Sequence, residues 1–377
     1  MNERIYLDNN ATTPLDPDVL DVMIEELAAP PHNPSSIHSF GQEGRKIVAE
    51  ARRTIAQFLG VKTSEVLFTS GGTEGMNLLI RGAFNDPSSH IIASPIDHAA
   101  AYNTLEDLRK KGADITYLPI DSFGAPHSKD LQKAIRPNTK LIVLSAANSE
   151  TGVMLDMEGF AAIAKRANIP LVLDGVALIG KEPFTIPEGV AAMAFSAHKF
   201  HGPQGTGFIF VRSGLKLSPL LTGGGQEKNL RSGTENLPGI VGMACALSIF
   251  DEDEAFAHMR TLREQFEALL TEEIPDLEIN GEGPRLPNTS NLYFPGIDAE
   301  SLLISLDMEK IAASYASACA SGALEPSRTL LNMGFSKERA SSSLRFSFSR
   351  LNTVAEVQKA AKVIIALVIK LRTAAFS

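Results

Sequence analysis

The chain has 377 residues and carries 35 Lys and Arg against 44 Asp and Glu, a formal charge of −9 that argues against a surface built to grip nucleic acid. Hydrophobic residues at 44% and charged residues at 21% are ordinary globular composition; they exclude long disorder, and the length suits about two compact domains. The two cysteines, Cys245 and Cys319, cannot build a disulfide framework or a four-cysteine metal site, so a reducing, cytoplasmic setting is expected. The first residues have no apolar core to serve as a leader, and no stretch reaches the ~18 apolar residues of a membrane span.

In chain order, Asp16-Pro17 reads as an N-cap followed by Pro at the first helical position, and Ile47, Val48, Ala51, Ile55 and Leu59 form an apolar stripe that stops at Gly60. From about 60 to 215, short β-branched runs alternate with helical patterns, the signature of a parallel sheet covered on both faces. The expected strands are Val66–Phe68, His90–Ala93, Ile115–Leu118, Leu141–Ser145, Leu171–Leu173, Ala192–Phe195 and Phe208–Val211. Helices Ala100–Lys111, which stops at Gly112, and Met157–Ala167 lie between them. After about 240 the pattern turns to long helices with separated strands near Glu278–Asn280, Leu292–Phe294 and Leu344–Phe348, which reads as a smaller α+β domain. The last helix is signalled by the capping-box spacing of Thr353 and Glu356 and the stripe Val357, Ala361, Ile364, Leu367, Val368, Leu371.

Four features fall where an open sheet places a site, at strand ends. Thr69-Ser70-Gly71-Gly72-Thr73-Glu74 joins an apolar strand to a helical run; it suits either a phosphate at a helix N-terminus or simply a tight turn. Asp174 ends the run Ile169–Leu173, where a buried carboxylate needs a cation or strong donor, though for the residue taken alone a capping or turn role is the commoner explanation. Lys199, in Ser196-Ala197-His198-Lys199-Phe200-His201, follows another strand; a partly desolvated lysine beside cationic groups has the lowered pKa that a Schiff-base amine needs, whereas most lysines are merely solvated. The His198–His201 pair has no third metal ligand nearby in sequence. Cys319 sits in the small-residue segment Ser317–Gly322, a candidate nucleophile on a loop, while Cys245 in the apolar Val241–Leu247 stretch reads as packing. A cofactor with a phosphate, a protonated ring nitrogen and a lysine-reactive aldehyde would use the anion turn, Asp174 and Lys199 together, and pyridoxal 5'-phosphate is that cofactor.

Nearly the whole chain resembles the cysteine desulfurases of the class-V aminotransferase superfamily, in the group with a long catalytic-cysteine loop. The matching motifs are Tyr6–Pro14, Asn33-Pro34-Ser35-Ser36, Thr69–Glu74, Asp97-His98, Ser196–Lys199, Gly223–Glu227, Arg231–Thr234, Ser317-Ala318-Cys319, Leu324–Ser327 and Arg345-Phe346-Ser347. The resemblance implies an α/β protein of pyridoxal-phosphate-dependent transferase fold type I. A large domain over 15–240 would hold a seven-stranded, mostly parallel sheet, and residues 1–14 with 241–377 would form the small domain. It further implies that Lys199 carries the cofactor covalently, Asp174 pairs with the pyridinium nitrogen, His98 stacks on the ring as a catalytic group, and Gly72, Thr73, Ser196 and His198 hold the phosphate. Thr234 would reach the phosphate of a neighbouring subunit in a homodimer; Asn33 and Arg345 would bind the substrate, Arg345 clamping its carboxylate. Cys319 would take sulfur from L-cysteine as a persulfide, leaving L-alanine, and pass it to a sulfur-carrier or iron–sulfur scaffold protein.

Two cofactor-facing positions depart from that pattern. Ser149, in Asn148-Ser149-Glu150, stands where an amide is usual, and Ala177 stands where a Gln usually follows the ring-nitrogen Asp by three residues. A hydroxyl replaces a donor and a methyl does not, a difference of about 1 kcal/mol per lost hydrogen bond. Thr222 and Asn229 are lesser departures. The rival readings are a selenocysteine lyase-like enzyme, which would tolerate loss of Cys319, and a weakly active paralogue serving as a cofactor-binding interaction protein.

Overall fold

The computed structural model describes residues 4–84, 86, 88–250, 252–315 and 325–374. The chain begins with β1 (Ile5–Tyr6), α1 (Pro17–Ala28) and α2 (Ser39–Leu59). Asp16 caps α1 by accepting from Asp18 N at 3.0 Å, with Pro17 at the first helical position, and α2 stops at Gly60, whose φ of 65° a residue with a Cβ adopts at a cost. There follow β2 (Val66–Thr69), α3 (Gly72–Ala83), β3 (His90–Ala93), α4 (Ala99–Lys110), β4 (Asp114–Tyr117), α5 (Ser128–Ala134), β5 (Thr139–Ser145), α6 (Met157–Ala167), β6 (Leu171–Asp174), β7 (Val190–Ser196) and β8 (Gly207–Val211). All seven expected strands join one sheet, in the order β2-β8-β7-β6-β5-β3-β4.

From β4 to β7 the neighbours run parallel, and β8 runs antiparallel to both β7 and β2. Residues 197–206 are too short for the crossover of a dozen or more residues that a parallel return requires, so the chain turns back beside β7. The sheet's apolar runs are buried on both faces: Phe68, Leu144, Leu173, Phe195 and Phe208 pack on one side, and Leu67, Val143, Val172 and Ala194 on the other.

The rest of the chain comprises α7 (Leu237–Ser248), α8 (Glu252–Glu273), β9 (Glu278–Ile279), β10 (Thr289–Tyr293), α9 (Ala299–Met308), β11 (Ile311–Ala312), α10 (Arg328–Asn332), α11 (Lys337–Ser341), β12 (Ser343–Ser347) and α12 (Val354–Ala374). Strands β12, β10 and β9 form an antiparallel sheet, and β1 pairs with β11. Ile5, Leu7, Phe266, Leu302, Phe346, Phe348, Val357 and Ile364 share a second core there. The capping box of α12 forms as read: Thr353 N donates to Glu356 Oε2 at 2.8 Å and Glu356 N to Thr353 Oγ1 at 3.2 Å. The expected boundary at residue 240 falls inside α7, whose Leu237, Ile240, Met243 and Leu247 belong to the sheet's core. Among the described residues no helix is long and apolar enough to cross a membrane.

Candidate active site

The carboxyl ends of β3, β5, β6 and β7 open with the N-terminus of α3 onto one cavity of about 580 Å³. Of the residues singled out from sequence, Gly72, Thr73, His98, Ser149, Asp174, Ala177, Ser196, His198 and Lys199 line it. This is the crevice that a doubly wound sheet leaves beyond its strand ends.

At one end the chain leaves β2 through Gly71 (φ 145°) and enters α3 with no side chain capping the helix N-terminus. A Cβ on Gly71 would stand 3.2 Å from Ser196 Oγ, and one on Gly72 would stand 2.5 Å from Val176 Cγ2. The uncapped first turn thus lies in a cradle that side chains would fill, with the positive end of the helix dipole behind it. His198 completes this end, its Nδ1 3.1 Å from Thr12 Oγ1; burial and the Lys199 charge push its imidazole down to about 4, so it stays neutral.

Parallel pairing of β6 between β5 and β7 puts Asp174 beside Ser145 and Ala194, buried, with Val176 N donating to Oδ1 at 3.0 Å. Burial raises the Asp174 pKa, and the His98 and Lys199 charges pull it back. Lys199 donates to the carbonyls of Asn10 at 2.5 Å and Ala11 at 2.8 Å, so the segment after β1 orients its amine. His98 caps α4, its Nδ1 accepting from Ala100 N at 3.1 Å. Asp97 beside it is buried between the N–H groups of Ser145, at 2.8 Å, and Ser94, at 3.2 Å, and burial pushes its carboxyl up to about 7.

The other expected site residues lie apart from the cavity wall. Arg345 is buried behind it, donating to Asp8 Oδ1 at 2.7 Å and to Ser149 O at 3.1 Å, and among the described residues its Nε has no partner. Asn33 and Thr234 are exposed, Asn33 accepting from Ser35 N at 3.0 Å. Cys319 lies outside the described residues. Cys245 is half-buried with Sγ 3.9 Å from Asp18 O, and burial with the Asp18 and Asp16 charges pushes its thiol up, away from thiolate.

Sequence reasoning gave no role to three groups on this wall, of which Asn10 alone lies in a quoted motif. Asn10 reaches Ser149 O at 3.0 Å and Thr289 Oγ1 at 2.9 Å, joining the cavity to the second core. Arg328 stacks 3.9 Å over Tyr102 and donates to the carbonyls of Pro95 and Asp97, tying the chain after residue 324 to the turn that carries His98. Lys181 lines the cavity at 3% exposure, with no sequence signal beyond its place just after Gly180 in a turn.

Residues 5–360 match the family described as aminotransferase class-V. The chain is 40% identical over 380 residues to "Cysteine desulfurase IscS" of Dictyoglomus turgidum, covering 99% of this chain and 96% of that one. It belongs to the cysteine desulfurase family of the class-V aminotransferases. Identity is 42% to "Putative cysteine desulfurase IscS 1" of Bacillus subtilis, over 96% of this chain and 97% of the relative. A solved "NifS-like protein" superposes with a TM-score of 0.91 at 36% identity, over 98% of this chain and all of that one, so the fold is the type I transferase fold that the motifs implied. Family membership implies use of pyridoxal phosphate, and the donor set fits it. The cradle at Gly71-Gly72 suits a phosphate, among the described residues no salt bridge ends on the buried Asp174 carboxylate, and Lys199 presents an amine to the same space.

Proposed function

We propose that the cavity binds pyridoxal 5'-phosphate and works as a cysteine desulfurase, taking sulfur from L-cysteine onto Cys319 and releasing L-alanine. The observation that carries this reading is the convergence of the uncapped glycine turn, buried Asp174 and Lys199 on one cavity in a chain of this family. When bound, the cofactor supplies an aldehyde for amines and a ring that takes up the electron pair of a bond broken at the substrate's α-carbon.

The chain's own groups do the rest. Gly72 and Thr73, through backbone N–H groups and the helix dipole, hold the phosphate with Ser196 and His198. Asp174 holds a proton on the ring nitrogen, because a carboxylate in a dry site is stable only beside a cation. Lys199 would hold the cofactor through its amine and, when that amine is free, would move the proton at the substrate's α-carbon, and His98 would lie against the ring. Ser149 turns its backbone carbonyl to Asn10 and Arg345, which leaves its hydroxyl for the cofactor. Arg345, behind Ser149, anchors that wall and with Asn33 serves the substrate carboxylate. Cys319 thiolate attacks the substrate sulfur: a sulfur–sulfur bond forms, the carbon–sulfur bond breaks with its electron pair going to the carbon, and that carbon takes up a proton to become the methyl group of alanine. A sulfur-carrier or iron–sulfur scaffold protein then takes the sulfur, in the cytoplasm.

A homodimer belongs to the same reading. Leu20, Ile24 and Leu27 follow helical spacing along α1 and are 45%, 52% and 69% exposed, and Thr234 is exposed too, so a second copy has an apolar face to cover and a residue to contribute.

The test is one turnover of L-cysteine by cofactor-loaded protein, with alanine counted and bound sulfur mapped by mass spectrometry. One alanine per sulfur held on Cys319 is expected, with no bound sulfur in Cys319→Ser. Undiminished alanine in that variant, with the sulfur released free, would make the protein a lyase instead.

A further inference from the structure

Lys181 is the group in this cavity that the mechanism leaves unused. It follows Gly180 in the turn after β6, is 3% exposed, and lines the same wall as Lys199. Among the described residues no hydrogen bond or ion pair ends on its amine, which opens onto the cavity and keeps little of the hydration that an ammonium has in open solvent. The groups that face it from the neighbouring elements do not compensate. Lys199 and Arg345 are cationic, and His198 and His201 stay neutral, each held down in part by Lys181 itself. No carboxylate is among the charges that act on Lys181: of the acids on the cavity wall, Asp97 accepts from the Ser94 and Ser145 N–H groups, Glu150 from the Ser327 and Thr329 hydroxyls, and Asp174 lies in the field of Lys199. Burial, and then the Lys199 and Arg345 charges, push the Lys181 ammonium down to about 7.

Lys199 is placed the other way. Two backbone carbonyls accept from its amine and so favour the charged form. Of two amines in one cavity, the unsupported one gives up its proton first. Yet Lys199 must lose a proton before its lone pair can attack an aldehyde, and a neutral amine on the wall of the same cavity can serve as the base.

We propose that Lys181 is the proton acceptor for Lys199 during cofactor capture. The proton passes from the Lys199 ammonium to the Lys181 amine, directly or through one cavity water; Lys199 becomes a neutral nucleophile and Lys181 an ammonium, with charge conserved. Capture of pyridoxal phosphate rests on the function proposed above, and the experiment separates the two.

The rate at which cofactor-free protein captures pyridoxal phosphate is followed by absorbance between pH 5.5 and 9, for wild type, Lys181→Met and Lys181→Arg. The wild-type rate should climb through a midpoint near 7, while both variants lose that inflection and slow by about tenfold or more near neutrality, as expected on removing a base. A second measurement needs no variant: reductive methylation of the cofactor-free wild type, read residue by residue, should modify Lys181 half-maximally near pH 7, whereas solvated lysines require pH near 10. An unchanged inflection in Lys181→Met, or methylation of Lys181 only near pH 10, overturns the proposal. Failure of wild type to capture the cofactor overturns the functional reading instead.

Discussion

At Gly72 a Cβ would stand 2.5 Å from Val176 Cγ2, the tip of a short, stiff side chain with little room to retreat. Overpacking of this kind costs typically 1–3 kcal/mol, and here it would fall on the anion cradle. Gly72→Ala should therefore weaken pyridoxal phosphate binding about tenfold or more, since 1.4 kcal/mol is a factor of ten. Adding Val176→Ala should restore most of it, and titration of cofactor-free protein reads both effects. Unaltered affinity in the single variant would separate the glycine turn from the phosphate. At this scale the sequence was legible wherever a polar group ends an apolar run, as Asp174 and Lys199 do. It was silent where partners meet across the fold: nothing local to Arg345 announces Asp8 as its ion-pair partner, and nothing local to Lys181 announces its burial.

Elements were legible in proportion to their burial. Strands β2, β3 and β6 are buried at every position and appear in the sequence as short apolar runs with one polar residue at an end, whereas β1 and β11, two residues each, have no period to read. Alternation also says nothing about strand direction, so the antiparallel β8 emerges only from the length of its connection. The turn between α9 and β11 supplies a prediction at this scale. Lys310 holds φ 64° with its side chain exposed, while its N–H donates to Asp307 O at 2.9 Å and its carbonyl accepts from Ile5 N at 2.9 Å. The backbone needs a left-handed residue there and the side chain adds nothing to packing. Lys310→Gly should stabilise the protein by roughly 0.5–1 kcal/mol, after the extra freedom of glycine in the unfolded chain is deducted. The urea midpoint should rise at constant slope; a fall would show that the lysine side chain stabilises the turn.

For the molecule as a whole, buried neutral histidines set the acid limit. Burial first of all pushes His201 down to about 4, as it does His198. Between pH 6.5 and 4 the unfolded chain binds protons that the folded chain refuses, so stability falls as pH falls through that window and is restored above 6.5. His201 sits at φ 64° with Nδ1 2.9 Å from Pro14 O, a conformation and a donor role that asparagine can reproduce. His201→Asn should thus flatten the acid limb by one proton, about 1.4 kcal/mol per pH unit. An unchanged slope of unfolding free energy against pH would show that His201 titrates normally in the fold. The convergence of the glycine turn, Asp174 and Lys199 on one cofactor is tested most directly by loading the protein with pyridoxal phosphate, reducing it with borohydride and mapping the fixed cofactor by mass spectrometry. A single adduct on Lys199, absent from Lys199→Ala, is expected; an adduct on Lys181 in the wild type, or none at all, would contradict it.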